Sequence, residues 1–172
     1  MFRVGIVGHR YFSNPETTLF VAEQCAAILE RARQQHRDVV AVSAIAEGAD
    51  TLFAEAAVKL KLPLEIVRPF ETYADDFVSG PAKGRYLSLQ ESARKEVRLN
   101  YEARSDLAYK AAMDWVIQQS DLVIIVWDGK PAQGSGGTGD AVKRITSENR
   151  PWVHVDVEQL KVSFHRSARI LE

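Results

Sequence analysis

Apolar residues in this chain recur with two different periods. Phe2 to Val7, Asp38 to Ser43, Leu64 to Val67, Leu122 to Trp127 and Pro151 to Val155 are short runs, mostly unbroken and rich in Val and Ile. Runs of that length and composition predict strands buried on both faces, as in a parallel sheet. Between them the spacing lengthens to three and four residues. Leu19, Ala22, Ala26, Leu29 and Ala32 predict a helix reaching about Gln35, with Asn14 as its cap and Pro15 at its first position. Leu52, Phe53, Ala56, Ala57 and Leu60 predict a second helix. Leu89, Ala93 and Val97 predict a mainly exposed one over roughly Arg85 to Leu99. Leu107 to Val116 presents a wide apolar face behind Ser105 and Asp106, and a last helix spans Asp140 to about Ser147. Pro69 should end the third strand. Glu71 to Gly84 should wander over the sheet top, and Val162 to His165 can add an edge strand. The alternation predicts an α/β, Rossmann-like three-layer fold, with a mainly parallel sheet of about five to six strands in one domain over residues 1–172.

Composition narrows the function classes. The net charge of −1 offers no basic field, so neither a nucleic acid polymer nor a membrane is expected as a partner. A single cysteine, Cys25, allows no intrachain disulfide and fits a reducing, cytoplasmic setting; its place in an apolar helical stripe predicts burial. No apolar run is long enough to span a bilayer, and no signal peptide is evident. The four histidines, His9, His36, His154 and His165, are scattered without metal-ligand spacing, so no metal is expected.

The candidate chemistry lies where strands end. The stretch LVIIVWDGKPAQGSGGTGD, Leu122 to Asp140, runs from a strand through a glycine-rich turn to a helix start. Glycine lets backbone N–H groups approach an anion, and a helix N-terminus adds partial positive charge. Asp128, Gly129, Gly134, Ser135, Gly136, Gly137 and Thr138 are therefore candidate ligand-binding residues. The first strand ends in Gly8-His9-Arg10, where Arg10 can pair with a phosphate or with a loop carboxylate, and His9 can touch ligand or pack under the loop. The second strand ends at Ser43 and leads into Glu47-Gly48-Ala49-Asp50. Gly48 allows close backbone approach. Glu47 and Asp50 are each read as a complement to the helix dipole or cap, or as a partner for ribose hydroxyls or a base; the two readings weigh equally for Glu47, and capping is favoured for Asp50. Trp127 and Tyr109 are expected to pack in the core, and Tyr73 is a possible stacking residue.

Three segments, GIVGHR (Gly5 to Arg10), SAIAEGAD (Ser43 to Asp50) and WDGKPAQGSGGTGDAV (Trp127 to Val142), together resemble the SLOG superfamily. This is the Rossmann-like group that includes the Lonely Guy cytokinin-activating proteins and the DNA-processing protein DprA. RPFETYADDF (Arg68 to Phe77) resembles a further segment of the group, and the match runs across residues 1–157. The resemblance implies a pocket above the sheet for a nucleotide or nucleotide derivative. Some members hydrolyse a nucleoside monophosphate at its N-glycosidic bond; others bind a nucleotide signal related to ADP-ribose, often beside effector domains. The hydrolases carry Pro-Gly-Gly-x-Gly-Thr-x-x-Glu, with an Arg-Lys pair upstream on a helix. Here Gly137-Thr138 matches the Gly-Thr, Ala141 stands at the position of the catalytic Glu, and Arg94-Lys95 is the only upstream pair.

The expectation is a nucleotide or ADP-ribose-type ligand at the carboxyl ends of the strands, bound by a sensing or regulatory module with no further cofactor. The alternative is a nucleoside-monophosphate N-glycosidic hydrolase or deoxyribosyltransferase-like enzyme, with Glu47 or Asp140 as the catalytic carboxylate. A homodimer or an effector-protein partner is expected by analogy, with the Leu107 to Val116 face serving either as seam or as core.

Overall fold

In the computed structural model, which describes residues 1–131 and 137–166, seven strands form one sheet in the order β4-β3-β2-β1-β5-β6-β7. The strands are β1 Phe2–Gly8, β2 Val39–Ser43, β3 Leu64–Phe70, β4 Lys95–Tyr101, β5 Leu122–Trp127, β6 Trp152–Asp156 and β7 Lys161–His165. All neighbours run parallel except β6 and β7. Helices α1 (Pro15–Gln35), α2 (Ala49–Lys59) and α3 (Gly80–Ser92) cover one face; α4 (Asp106–Gln119) and α5 (Thr138–Ser147) cover the other. The expected three-layer α/β architecture is present, with more strands than the five or six expected.

The central strands are dominated by apolar residues because both faces are covered. Val4 and Ile6 of β1 join the core beneath α1 and α2, whereas Val123 and Ile125 of β5 pack beneath α4 and α5 with Ile117 and Ile145. Asn14 caps α1 as expected, its side chain accepting the Thr17 N–H at 2.8 Å. The buried stripe of α1 is Val21, Cys25, Ile28, Leu29 and Ala32, while Leu19, which also fits the helical spacing, is 60% exposed.

Two elements differ from the expectation. The helix over Arg85 to Leu99 is instead α3 followed by β4. Val97 and Leu99 alternate with exposed charged and polar residues, the period of an edge strand, and the four-residue spacing of Leu89, Ala93 and Val97 imitated a helix. Strand β3 also continues through Pro69, with a register irregularity between Arg68 and Phe70 where the missing N–H is tolerated.

Opposite the site described next, the amino ends of the strands are tied by charge. Glu65 of β3, 2% exposed, accepts hydrogen bonds from Arg3 of β1 and from Arg94 just before β4. Arg94-Lys95 thus lies at the amino end of the sheet on an ion pair, not on a helix beside a pocket. Ala141, at the position of the hydrolases' Glu, is fully buried in the α5 packing.

Candidate functional site

From β1 the chain builds outward through β2, β3 and β4, then returns to place β5 on the other side of β1. The connections leaving β1 and β5 therefore part in opposite directions and open a crevice at their carboxyl ends. A cavity of about 510 Å³ occupies that place. It is lined by Gly8, His9 and Arg10 after β1, by Ala44, Ala46 and Asp50 after β2, by Trp127, Asp128 and Lys130 after β5, and by Gly137, Thr138 and Gly139 at the start of α5. Tyr73, Tyr109 and Met113 close its sides.

The α5 end carries the anion-binding geometry. Gly137 is the N-cap and offers no side-chain acceptor. Its carbonyl takes the N–H groups of Asp140 and Ala141, at 2.9 and 3.3 Å. The amides of Thr138 and Gly139 precede the first intrahelical bond and have no acceptor within the helix. Gly134, Ser135 and Gly136 lie outside the described residues.

Arg10 adds a cation. Its guanidinium lies over the Tyr109 ring, 4.8 Å from the centroid, and among the described residues no carboxylate is within ion-pair distance of it. Tyr109 and Trp127 pack against the core as expected but are not fully enclosed by it. Both are half-buried and line the cavity, and the Trp127 indole N–H donates to the Lys130 carbonyl at 2.8 Å. The Tyr109 hydroxyl donates to Asp76, and burial together with that bond raises its pKa. Tyr73, offered as a stacking residue, is 2% exposed and packed edge-on against Phe70, Phe77 and Tyr86.

His9 and Asp128 join the β1 and β5 ends. The Asp128 amide donates to His9 Nε2 at 3.1 Å, and the Asp128 carboxylate lies 3.2 Å from the same nitrogen. Asp128 also accepts the Lys130 N–H at 3.0 Å, closing the turn in which Gly129 has φ of +79°. Burial alone would raise the Asp128 pKa, but the Lys130 amide and His9 outweigh it and hold the carboxyl below its usual range.

On the β2 side the structure reorders the acidic residues. Gly48 is the N-cap of α2, with φ of +90°; a Cβ there would lie 2.3 Å from the Arg10 carbonyl oxygen. Only glycine lets this turn pack against the Gly8–Arg10 turn. Asp50, expected to cap, lies inside the helix start, 7% exposed, on the cavity wall. Ser43 donates to it at 3.3 Å. Burial pushes its carboxyl up to about 7, against the pull of the Ala46 amide and of Arg10. Ser43 touches Asp50 rather than the cavity. Glu47 is half-buried, outside the cavity lining, and faces Arg85 electrostatically. Asp140 also lies outside the lining and pairs with Lys143 at 3.5 Å. The two carboxylates proposed from sequence as catalytic are thus replaced at the wall by Asp50 and Asp128. Periodicity had no means of finding Asp50, since a carboxylate in a first helical turn carries the same signal whether it caps or faces a cavity.

Among the described residues, no three His, Cys, Asp or Glu side chains are grouped to hold a metal, and no helix is long and apolar enough to cross a membrane. The apolar face of α4, Ala108, Ala112, Met113, Val116 and Ile117, is buried within the chain, leaving Leu107 exposed. It is core, not a subunit seam.

Compared by sequence, the chain matches no family model and no curated protein. Solved structures do match. DNA processing protein A (DprA) from Streptococcus pneumoniae aligns over 89% of this chain and 50% of its own, with 18% identity and a TM-score of 0.63. DNA processing protein A from Helicobacter pylori, whose structure describes a single-stranded DNA binding mode, aligns over 89% and 64%, with 19% identity and a TM-score of 0.60. The Moco carrier protein from Chlamydomonas reinhardtii aligns over 89% and 75%, with 13% identity and a TM-score of 0.51. The chain spans half to about two thirds of the two DprA proteins. The Helicobacter neighbour corrects the expectation that no nucleic acid polymer binds. Net charge sums over a whole chain, whereas a strand of phosphates responds to cations and amides gathered at one place, so a near-neutral total excludes no such partner. The sheet order, the crossover at β1 and β5 and these neighbours together give the conclusion: this chain has a Rossmann-like three-layer α/β fold, similar to that of the DprA proteins and the Moco carrier protein.

Proposed function

We propose that this protein binds a nucleotide or a nucleotide-derived, ADP-ribose-like molecule in the cavity above β1 and β5, as a sensing or regulatory module. One observation carries the proposal. The turns after β1, β2 and β5, separate in sequence, converge on a single cavity with the open amides of α5, the Arg10 cation and the buried Asp50 carboxylate on its walls. Amides and a cation suit phosphate; a buried acceptor suits the hydroxyl or N–H donors of the rest of such a ligand.

Thermal denaturation with a panel of mono-, di- and cyclic nucleotides and ADP-ribose tests this. A binding ligand at about a hundred times its Kd raises Tm by roughly 5 °C. Gly137→Val, which places a branched side chain at the amide end, abolishes the shift. Absence of any shift across the panel would overturn the proposal.

A second reading comes from the Helicobacter neighbour: the same amides and Arg10 can hold one phosphate of a single-stranded nucleic acid. An oligodeoxynucleotide in the same assay separates the two. Tight, steeply salt-dependent binding of the oligonucleotide without mononucleotide binding favours the polymer. Release of free base from a nucleoside monophosphate, lost in Asp128→Asn, would instead favour the enzyme alternative.

A further inference from the structure

Resting on the nucleotide reading, we propose that Asp50 is the sugar-reading residue of the cavity: it accepts a hydrogen bond from a ribose hydroxyl and so favours ribonucleotides over their deoxy counterparts. Asp50 is 7% exposed and yet lies on the cavity wall, so its carboxylate is sequestered from bulk water and open to a ligand. Ser43 Oγ already donates to it at 3.3 Å. A carboxylate offers about four acceptor positions, so acceptor capacity remains for a donor from the cavity.

The aromatic residues favour the same arrangement. The Tyr109 ring is covered on one face by Arg10 and meets Phe70 edge-to-face, and Tyr73 is enclosed by Phe70, Phe77 and Tyr86. Tyr73 thus has no open face for a base near Asp50, and one face of Tyr109 is already taken by Arg10. Tyr11, at the cavity rim, is 76% exposed, and no ring stacks on it among the described residues. The starts of α2 and α5 follow strands two positions apart, roughly 10 Å. A phosphate at α5, a sugar turned toward Asp50 and a base turned out toward Tyr11 fit that span.

The test compares the common ribonucleoside 5′-monophosphates with their 2′-deoxy and 2′,3′-dideoxy analogues, by calorimetry on the wild-type protein and on Asp50→Ala, which supplies no acceptor. Loss of a hydroxyl that meets a buried acceptor weakens binding by at least about tenfold. In Asp50→Ala the ribonucleotide falls toward the dideoxy level and the preference collapses, a change that a purely structural role would not produce. Equal wild-type affinity for all three sugars overturns the assignment while leaving nucleotide binding intact, and this comparison stands even if the variant fails to fold. A preference kept in a folded Asp50→Ala overturns it as well. If none of the monophosphates binds, the assignment and the nucleotide reading fall together.

Discussion

Asp50 holds the least comfortable charge among the described residues. The carboxylate is shut away from water, with Ser43, Arg10, Cys25 and Tyr73 as the titratable or polar groups around it, and its pKa rises to about 7. The folded state therefore keeps a proton that the unfolded chain releases near pH 4. The group's contribution to stability is fully present below about pH 4 and is lost as pH rises through 7, since the unfolded state then binds fewer protons. Asp50→Asn removes the charge without changing the shape. The variant should show a flatter dependence of unfolding free energy on pH between 4 and 7, and above pH 7 should match or exceed the wild type by a few kcal/mol at most. Urea titrations at a series of pH values measure this. A slope identical to the wild type would mean that Asp50 is not the titrating group. Cys25, whose thiol is pushed up to about 12 by burial and by Asp50, stays a packing residue over the same range.

Among the elements, the turn between β2 and α2 is what brings the cavity walls together. Gly48 takes φ of +90° and meets the Arg10 and His9 carbonyls so closely that any side chain would strike backbone. The Ala49 N–H donates to the His9 carbonyl at 3.0 Å, which fixes the two turns against each other. Gly48→Ala should cost at least about 2 kcal/mol, from strained backbone and from the collision. It should also displace Arg10, so that nucleotide binding weakens beyond what the stability loss explains. A urea midpoint paired with a binding isotherm checks both. Helix α5 plays the complementary part: a glycine cap without a side-chain acceptor leaves its first amides to whatever enters the cavity.

Across the whole molecule, stability and binding are placed at opposite ends of the sheet. The carboxyl ends carry loops, glycines and a half-open cavity. The amino ends carry Glu65 between Arg3 and Arg94, where two guanidinium groups outweigh the burial penalty and hold the carboxyl below its usual range. That ion cluster joins β1, β3 and the entry to β4. Its stabilisation is present above the unfolded carboxyl pKa and is lost as pH falls into the acid range. Glu65→Gln should lower stability at pH 7 by about 1–3 kcal/mol and leave nucleotide affinity unchanged. A lowered Tm with an altered Kd would show that the two ends are coupled.

The sequence by itself determined the layers and the places where chemistry is possible. Runs such as Leu122 to Trp127 have one stable use, a strand covered on both faces, and Asn14-Pro15 and Ser105 mark helix starts by local hydrogen bonding. These signals are local, so one dimension carries them. The short motifs likewise marked the turns at Gly8–Arg10, Ala46–Asp50 and Gly137–Thr138. Tertiary structure alone decided which of those residues face a common space. Asp50 and Glu47 are three positions apart, both acidic and both near a helix start, yet only Asp50 lines the cavity. Tyr109 has the same apolar neighbours as a core residue but lies beneath Arg10 on the wall. Strand β4 was hidden because an edge strand buries too little to suppress a competing helical spacing, and only hydrogen bonding to β3 selects the period of two. Apolar pattern reports whether a residue leaves water; the crossing of the chain at β1 and β5 sets which buried groups a ligand can meet.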